Sequence, residues 1–420
     1  MERLMAVSYW ATGMVVAYWV ISYLLVWVVL KRRVVLSPTL SSDINQSLSL
    51  PKISVIVAAK DEETNIEACV LSMLDQDYPD YELIVIDDRS ADRTPEILQQ
   101  LADNSSERLK VIRIDELKEG WFGKNNAMRE GVKKSSGDWL CFIDADCWQT
   151  SKQTLSITIQ EALATQTDFL SVTPVLNMER TWEKIVEPAC VLALMTWHHP
   201  ELVNNPRRKT AYANGHFMLM SRNCYETIGG HSRVKNEMNE DIMLAEHTKE
   251  AGLRLRMTDN VGLFRSRMYP DISAARNGWS RILCGSLRSA PKLALTIFVV
   301  LFYVVLPWLY LTVSLAGSLL SNHPAVWNPH VLLWGGACLT QIAFSQLYYS
   351  LLGVKRAWAI TFPIGGLFAL TALSSAFLRR LGLVNTTWRG TTYCLHQRVE
   401  TELSANKISG ASTTTLKEAS

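Results

Sequence analysis

Two carboxylates stand two residues apart in Phe142-Ile143-Asp144-Ala145-Asp146, at the end of an apolar run. Hard carboxylate oxygens hold Mg2+ or Mn2+ through one or two protein ligands and leave the other positions to water and substrate phosphates. A D-x-D triplet alone is common; its place at a strand end is what gives it weight. Ile84-Val85-Ile86-Asp87-Asp88-Arg89-Ser90 ends in a second acidic pair, and there Asp88 can accept hydrogen bonds from a nucleoside base or ribose. The competing reading is an acidic strand tip that caps a helix at Thr94. Gly120-Trp121-Phe122-Gly123-Lys124 is not a Walker loop, because only two residues separate the glycines and Asn125 stands where Ser or Thr is required. It does set Lys124 at a helix start, where an ammonium and the helix N-terminus together favour a diphosphate, unless Lys124 is a solvated residue on a surface turn. Asn239-Glu240-Asp241-Ile242 opens another helix, where acidic residues either complement the dipole or serve chemistry. Ala213-Asn214-Gly215-His216-Phe217 reads as a strand broken by a polar turn near the same pocket, and His216 and His231 read more readily as structural histidines than as catalytic ones.

Short β-branched runs alternate with amphipathic stretches between Lys52 and about Arg267. That alternation predicts an α/β domain with a mostly parallel sheet covered on both faces. Ligands of such sheets bind beyond the carboxyl ends of the strands. The residues that follow the runs are strongly polar there: Lys60-Asp61-Glu62-Glu63, Asp87-Asp88 and Asp144-Ala145-Asp146. A phosphate-receiver site would need a further Asp, Thr and Lys at set strand ends, and these are not found.

Among 420 residues, 48% are hydrophobic, and 42 Lys plus Arg oppose 40 Asp plus Glu. This near-balance excludes a polybasic nucleic-acid binder and an acidic disordered chain. The eight cysteines are scattered, without a C-x-x-C pair or a Cys/His cluster at metal-ligand spacing, and read as reduced thiols in a cytoplasmic compartment. No charge interrupts Met5 to Leu30, long enough for a helix rising ~1.5 Å per residue to cross a ~30 Å hydrocarbon layer. Lys31, Arg32 and Arg33 follow that run, which marks an anchor rather than a signal peptide and places the chain after it in the cytoplasm. Further candidates are Leu293 to Leu320, Val331 to Gly353 and Ala359 to Phe377, with an uncharged turn from Ser321 to His330 outside. If the last one spans, Arg379 and Arg380 fall on the wrong side of the positive-inside rule; a cytoplasmic C-terminus is favoured. Val186 to Thr196 is too short to span and reads equally as an interfacial or a buried helix, and Trp279 is expected at the lipid interface.

Taken in order, Lys60-Asp61-Glu62-Glu63, Asp87 to Asp92, Gly123-Lys124, Asp144-Ala145-Asp146, Gly229-Gly230-His231 and Glu240-Asp241 resemble the family-2 glycosyltransferases with a GT-A fold. Trp121 to Lys124, Arg267-Met268-Tyr269 with Gly278-Trp279, Trp388 to Tyr393 and the membrane layout look like the lipid-modifying branch, which glycosylates carotenoids, hopanoid-associated lipids or ceramide. The resemblance implies a metal-dependent, inverting, non-processive hexosyltransferase. It would use a nucleotide-diphospho-sugar, with Mg2+ or Mn2+, on a membrane lipid and without nucleic acid. It implies Asp241 as the general base and Ala59, Glu62, Asp88, Lys124, Asp144 and Asp146 on the donor, with the metal on Asp146 and Asp144. Gly215, His216, Glu240 and Trp279 would lie on the acceptor side. Processive members carry Q-x-x-R-W before the membrane block; here Ala275 and Gly278 replace the Gln and Arg, only Trp279 is kept, and Arg276 is a candidate for the missing charge. The alternatives are a polyprenyl-phosphate or exopolysaccharide acceptor, or an inactive nucleotide-sugar sensor or scaffold. The expected organisation is an anchor (1–33), a linker (34–51), a cytoplasmic GT-A domain (52–270), an interfacial helix (271–292), a membrane region of two or three spans (293–380) and a C-terminal segment (381–420), disordered after about 402. The expected location is multi-pass in a bacterial inner membrane.

Overall fold

The computed structural model describes residues 2–38, 50–105, 108–388, 391–394 and 397–400. Most of the expected linker, Arg389 and Gly390 of the Trp388 to Tyr393 motif, and the tail after 400 lie outside the described residues. An eight-stranded sheet forms the centre, in the order Val35–Leu36, Leu255–Asn260, Phe169–Thr173, Phe217–Ser221, Trp139–Asp144, Ile53–Ala59, Tyr81–Asp88, Leu109–Ile114. Every pairing is parallel except the two made by Phe217–Ser221, which runs against both of its neighbours. Strands covered on both faces read as continuous apolar runs, and Val55, Ile56, Leu83, Ile84, Leu140 and Phe142 are fully buried accordingly. Helices Ile66–Leu74, Thr94–Asn104, Gly123–Lys133 and Thr154–Ala164 cover the faces.

The direction of Phe217–Ser221 matters for the site. The parallel strands on one side of it end at Asp144, Ala59 and Asp88, and the antiparallel register pairs Ile143 with Phe217. A strand running the other way begins where these end, so the residues before it, Gly215 and His216, are delivered to the same edge. The interrupted strand expected over 213–217 is therefore not present; the strand starts only at Phe217, because Asn214 Oδ1 accepts from the His216 N–H (3.0 Å) and turns the chain there.

Among the described residues, three helices are long and apolar enough to cross a membrane: Ala6–Arg32, Ala290–Leu320 and Arg356–Arg380. A fourth, Pro324–Leu351, packs against the first two but is not among those three. It begins well before the expected Val331, since proline at a first helical position is pre-set for the helix; the expected outer turn over 321–330 shrinks accordingly. Pro307 cannot donate to the Tyr303 carbonyl four residues back, and the chain widens into a π-type turn over Val300–Val305. The Trp19 indole N–H bonds that carbonyl at 3.0 Å, and Gln341 donates to the next one, Val304, at 3.2 Å. Backbone groups freed by proline in an apolar setting are thereby satisfied by neighbouring helices.

Helix Thr181–Met195 lies between the sheet domain and the long helices, with Tyr348 Oη donating to the Pro188 carbonyl at 3.0 Å. Gly365 of helix Phe362–Arg380 meets it so closely that a Cβ there would strike the Ile185 carbonyl oxygen and press on Ala189 Cβ at 3.2 Å. Gly365→Ala is therefore expected to cost about 1–3 kcal/mol through overpacking. The check is thermal unfolding in detergent, in which an unchanged midpoint would refute the close crossing.

Candidate active site

Lys124 is the second residue of helix Gly123–Lys133, and its ammonium lies 2.6 Å from Asp144 Oδ1 and 2.7 Å from Glu240 Oε1. Asp241, the next residue of helix Glu240–Glu250, turns Oδ2 to accept from the Gly215 N–H at 3.0 Å and Oδ1 to accept from the Ile242 N–H at 2.8 Å. A Cβ on Gly215 would lie 3.1 Å from Lys124 Nζ, 3.4 Å from Asp241 Oδ2 and 3.6 Å from Asp144 Oδ2. The three groups thus converge on the Cα of Gly215, and a side chain there would press on the Lys124 ammonium.

Burial alone would lower the Lys124 pKa, but Asp144, Glu240 and Asp241 outweigh it and hold the ammonium charged. The acids separate in turn. Burial would raise Asp144, yet Lys124, His216 and Arg281 hold its carboxyl below the usual range. Burial and the adjacent Glu240 push Asp241 up to about 7, against the pull of Lys124. Two acids with separated pKa values in one cleft are the pattern expected of a functional site.

Beside this cluster, Asp88 is buried and held by Arg89 through Nε at 2.8 Å and a second guanidinium nitrogen at 3.0 Å. Arg89 adopts φ +58°, a strained conformation for a residue with a side chain. The helix start at Gly123 sits directly on the Asp88 carboxylate, which brings Lys124 over that strand end. Asp88 does not cap the helix that begins at Thr94: Asp92 Oδ1 accepts the Thr94 N–H at 2.9 Å, being the acid local enough to reach it. Glu62 Oε2 accepts from Asn65 at 2.8 Å, and its own N–H donates to Thr94 Oγ1 at 2.8 Å. Across the site His216 Nε2 faces Asp146 Oδ1 at 4.0 Å. Asp146, Cys147 and His216 bring an oxygen, a sulfur and a nitrogen within 4.8 Å of one another, a donor set suited to a divalent ion.

All the site residues expected from sequence line one cavity of about 1310 Å3, from Ala59 and Asp88 to Asp241 and Trp279. It groups them unevenly: Asp144 belongs to Lys124, whereas Asp146 looks across to His216. Trp279 is not at a lipid interface. It is 2% exposed, and its indole N–H donates to Glu187 Oε2 at 2.8 Å, a buried bond that fixes the ring inward. Gly278 has no room for a side chain because the Tyr269 ring fills that space. Arg276 is exposed and does not line the cavity, whereas Arg281 five residues on does. Asn214, Glu187, Tyr269 and Arg281 were not singled out from the sequence as site residues. Only the i, i+3 spacing of Gly278 and Arg281 offered a local signal.

A sheet with one reversed strand, acids at its carboxyl edge and a cavity between them defines a nucleotide-sugar transferase fold of the GT-A class. Residues 54–229 match the family model described as glycosyl transferase family 2. The 4,4'-diaponeurosporenoate glycosyltransferase of Staphylococcus aureus is 25% identical over 268 residues, 63% of this chain and 69% of that protein. The beta-monoglucosyldiacylglycerol synthase of Trichormus variabilis is 36% identical over 111 residues, 26% of this chain and 23% of that protein. The solved mannosyltransferase PcManGT of Pyrobaculum calidifontis, in complex with GDP-Man and Mn2+, aligns with a TM-score of 0.50 at 18% identity, covering 86% of this chain and 99% of that one, a likeness of fold.

With the folded-state pKa of Asp241 raised from 3.8 to about 7, the folded chain holds a proton that the unfolded chain releases between those values. This contribution to stability is full below pH 3.8 and is lost as pH rises through 7. Asp241→Asn keeps an acceptor for Gly215 without the ionisation, so it is expected to raise the thermal midpoint over wild type more at pH 8 than at pH 5. Equal differences at the two pH values would refute the raised pKa.

Proposed function

We propose that this chain is a multi-pass membrane glycosyltransferase that moves a hexose from a nucleotide-diphospho-sugar to a lipid acceptor, with inversion and one sugar per encounter. One observation carries the reading: the cavity that holds the acids continues without a break between the long helices. Val26 and Val29 of the first helix, Leu192 and Met195 of Thr181–Met195, and Phe344 and Leu351 of Pro324–Leu351 line its far arm. A water-soluble acceptor needs no such arm, whereas a chain-bearing lipid does. The named acceptors of the two curated relatives, a carotenoid acid and a diacylglycerol, support a lipid of that kind.

The donor lies at the strand ends, its nucleoside toward Asp88 and its diphosphate toward Lys124 and Asp146. Asp146 and Asp144 were the ligands expected for Mg2+ or Mn2+; the donor set around Asp146 suits a divalent ion, and the Mn2+ bound by PcManGT supports one there. Bound there, the ion would offset the charge that grows on the departing diphosphate. Lys124 acts on the same charge from the helix start. The acceptor hydroxyl enters from the apolar arm past Trp279, and Asp241 takes its proton as the oxygen attacks the anomeric carbon and the bond to the diphosphate breaks on the opposite face. A carboxylate acceptor arrives already ionised and leaves Asp241 without that task. Tyr269 closes position 278, where processive enzymes present arginine, in keeping with single transfers. The sheet domain lies in the cytoplasm in this reading, as Lys31, Arg32 and Arg33 after the first apolar run favour, in a bacterial inner membrane.

The test is nucleoside-diphosphate release by purified protein in detergent with Mn2+ or Mg2+, a panel of nucleotide sugars and a membrane lipid extract. Release is expected to require lipid, and with a hydroxyl acceptor kcat/KM is expected to rise with pH through about 7. Asp241→Asn is expected to lower that rate by ~10²- to 10⁴-fold while donor binding persists. Donor binding without release under any lipid would favour a nucleotide-sugar sensor. Leu192→Trp, which fills the apolar arm, is expected to raise KM for lipid and leave donor Kd unchanged; an unaltered KM would exclude that arm as the acceptor path.

A further inference from the structure

His216 stands apart from the histidines that serve packing alone. His231 is fully buried, bonds Tyr225 Oη through Nδ1 at 3.1 Å and is pushed down to about 3 by burial, so it is a neutral core group. His198 is likewise buried, against the Tyr212 ring. The His216 ring instead reaches the cavity, with Nε2 toward Asp146.

Its tautomer follows from its neighbours. Asn214 Oδ1 accepts the His216 backbone N–H at 3.0 Å and lies 2.6 Å from His216 Nδ1. An oxygen that already receives one N–H is the acceptor in both contacts, so Nδ1 carries the ring proton and Nε2 presents a lone pair. That lone pair points at Asp146 Oδ1 from 4.0 Å, too far for a hydrogen bond and a gap that two metal–ligand bonds of about 2.1 Å can bridge. The Cys147 thiol braces both sides, donating toward the His216 carbonyl at 3.6 Å and toward Asp146 Oδ1 at 3.7 Å. Asp144 is turned away, with Oδ1 on the Lys124 ammonium. An imidazole whose far N–H is fixed by an amide or carbonyl oxygen, opposite a carboxylate, is the arrangement that orients a histidine for metal binding.

We infer that His216 is a protein ligand of the divalent ion together with Asp146, that Asn214 fixes its orientation, and that Asp144 serves Lys124 instead. The inference rests on the metal-dependent transferase reading and deepens it. It also predicts the ion: Mg2+ takes oxygen ligands, so a site that includes imidazole nitrogen selects Mn2+.

The test uses the full chain in detergent, loaded with Mn2+ in the presence of UDP and, in parallel, GDP. Pulsed electron paramagnetic resonance is expected to show ¹⁴N modulation from a coordinated imidazole in the wild type and none in His216→Ala. Asn214→Ala is expected to weaken Mn2+ binding ~10- to 100-fold, and Asn214→Asp, which keeps the acceptor oxygen, to recover most of it. Mg2+ is expected to displace Mn2+ readily from His216→Ala and poorly from the wild type. Bound Mn2+ without nitrogen modulation in the wild type overturns the His216 assignment and leaves the transferase reading intact. Mn2+ binding undiminished by Asp146→Ala overturns the metal site on which both rest.

Discussion

One ammonium among three carboxylates is the constraint on which the site depends. Lys124 contacts Asp144 and Glu240 directly and lies near Asp241, and without it three acids crowded at one sheet edge would repel one another in a partly dehydrated cleft. Its position follows from the helix that starts at Gly123, and that helix can start there only because Gly123 presents no side chain to Asp88. Gly215 meets the same demand from the opposite side. Two glycines and one lysine therefore set the spacing of every acid in the cluster. The lysine also sorts them, keeping Asp144 ionised while Asp241, more dominated by burial and Glu240, stays near neutrality.

The reversed strand is the architectural counterpart of that constraint. A wholly parallel sheet would present only strand ends at this edge, and strand ends supplied Ala59, Asp88 and Asp144. Running Phe217–Ser221 backwards adds a strand beginning, and with it a backbone N–H for Asp241 and an imidazole for Asp146. The same turn thus serves two carboxylates with different work.

The parallel strands and their acidic ends were legible because both-face burial writes itself as an unbroken apolar run, and a polar residue directly after one is conspicuous. The family-level order of the motifs was legible for the same reason. The partners of those acids were not. Asp146 and His216 are seventy positions apart and meet only through the direction of a strand, which no periodicity records. Trp279 looked like an interfacial anchor because it precedes an apolar block, and its buried acceptor, Glu187, lies on a different helix. The polar residues around Pro324 favour a turn, whereas proline's fixed φ favours a helix start, and the helix prevails.

Glu187 shows how the sheet domain and the long apolar helices are joined. It sits in helix Thr181–Met195, which packs on the long helix Phe362–Arg380, and burial pushes its carboxyl up to about 8. Near neutral pH it is therefore mostly protonated, and no net charge is placed against the apolar helices, where a lone carboxylate would be costly. The neutral acid still accepts from the Trp279 indole, so the ring is held at the boundary between the acidic cluster and the apolar arm. A charged residue at 187 would need a counterion that the neighbouring apolar helix does not provide, and an apolar one would leave the indole N–H unpaired. A carboxyl group kept protonated satisfies both demands, which explains an acid midway along this helix, at the mouth of the apolar arm.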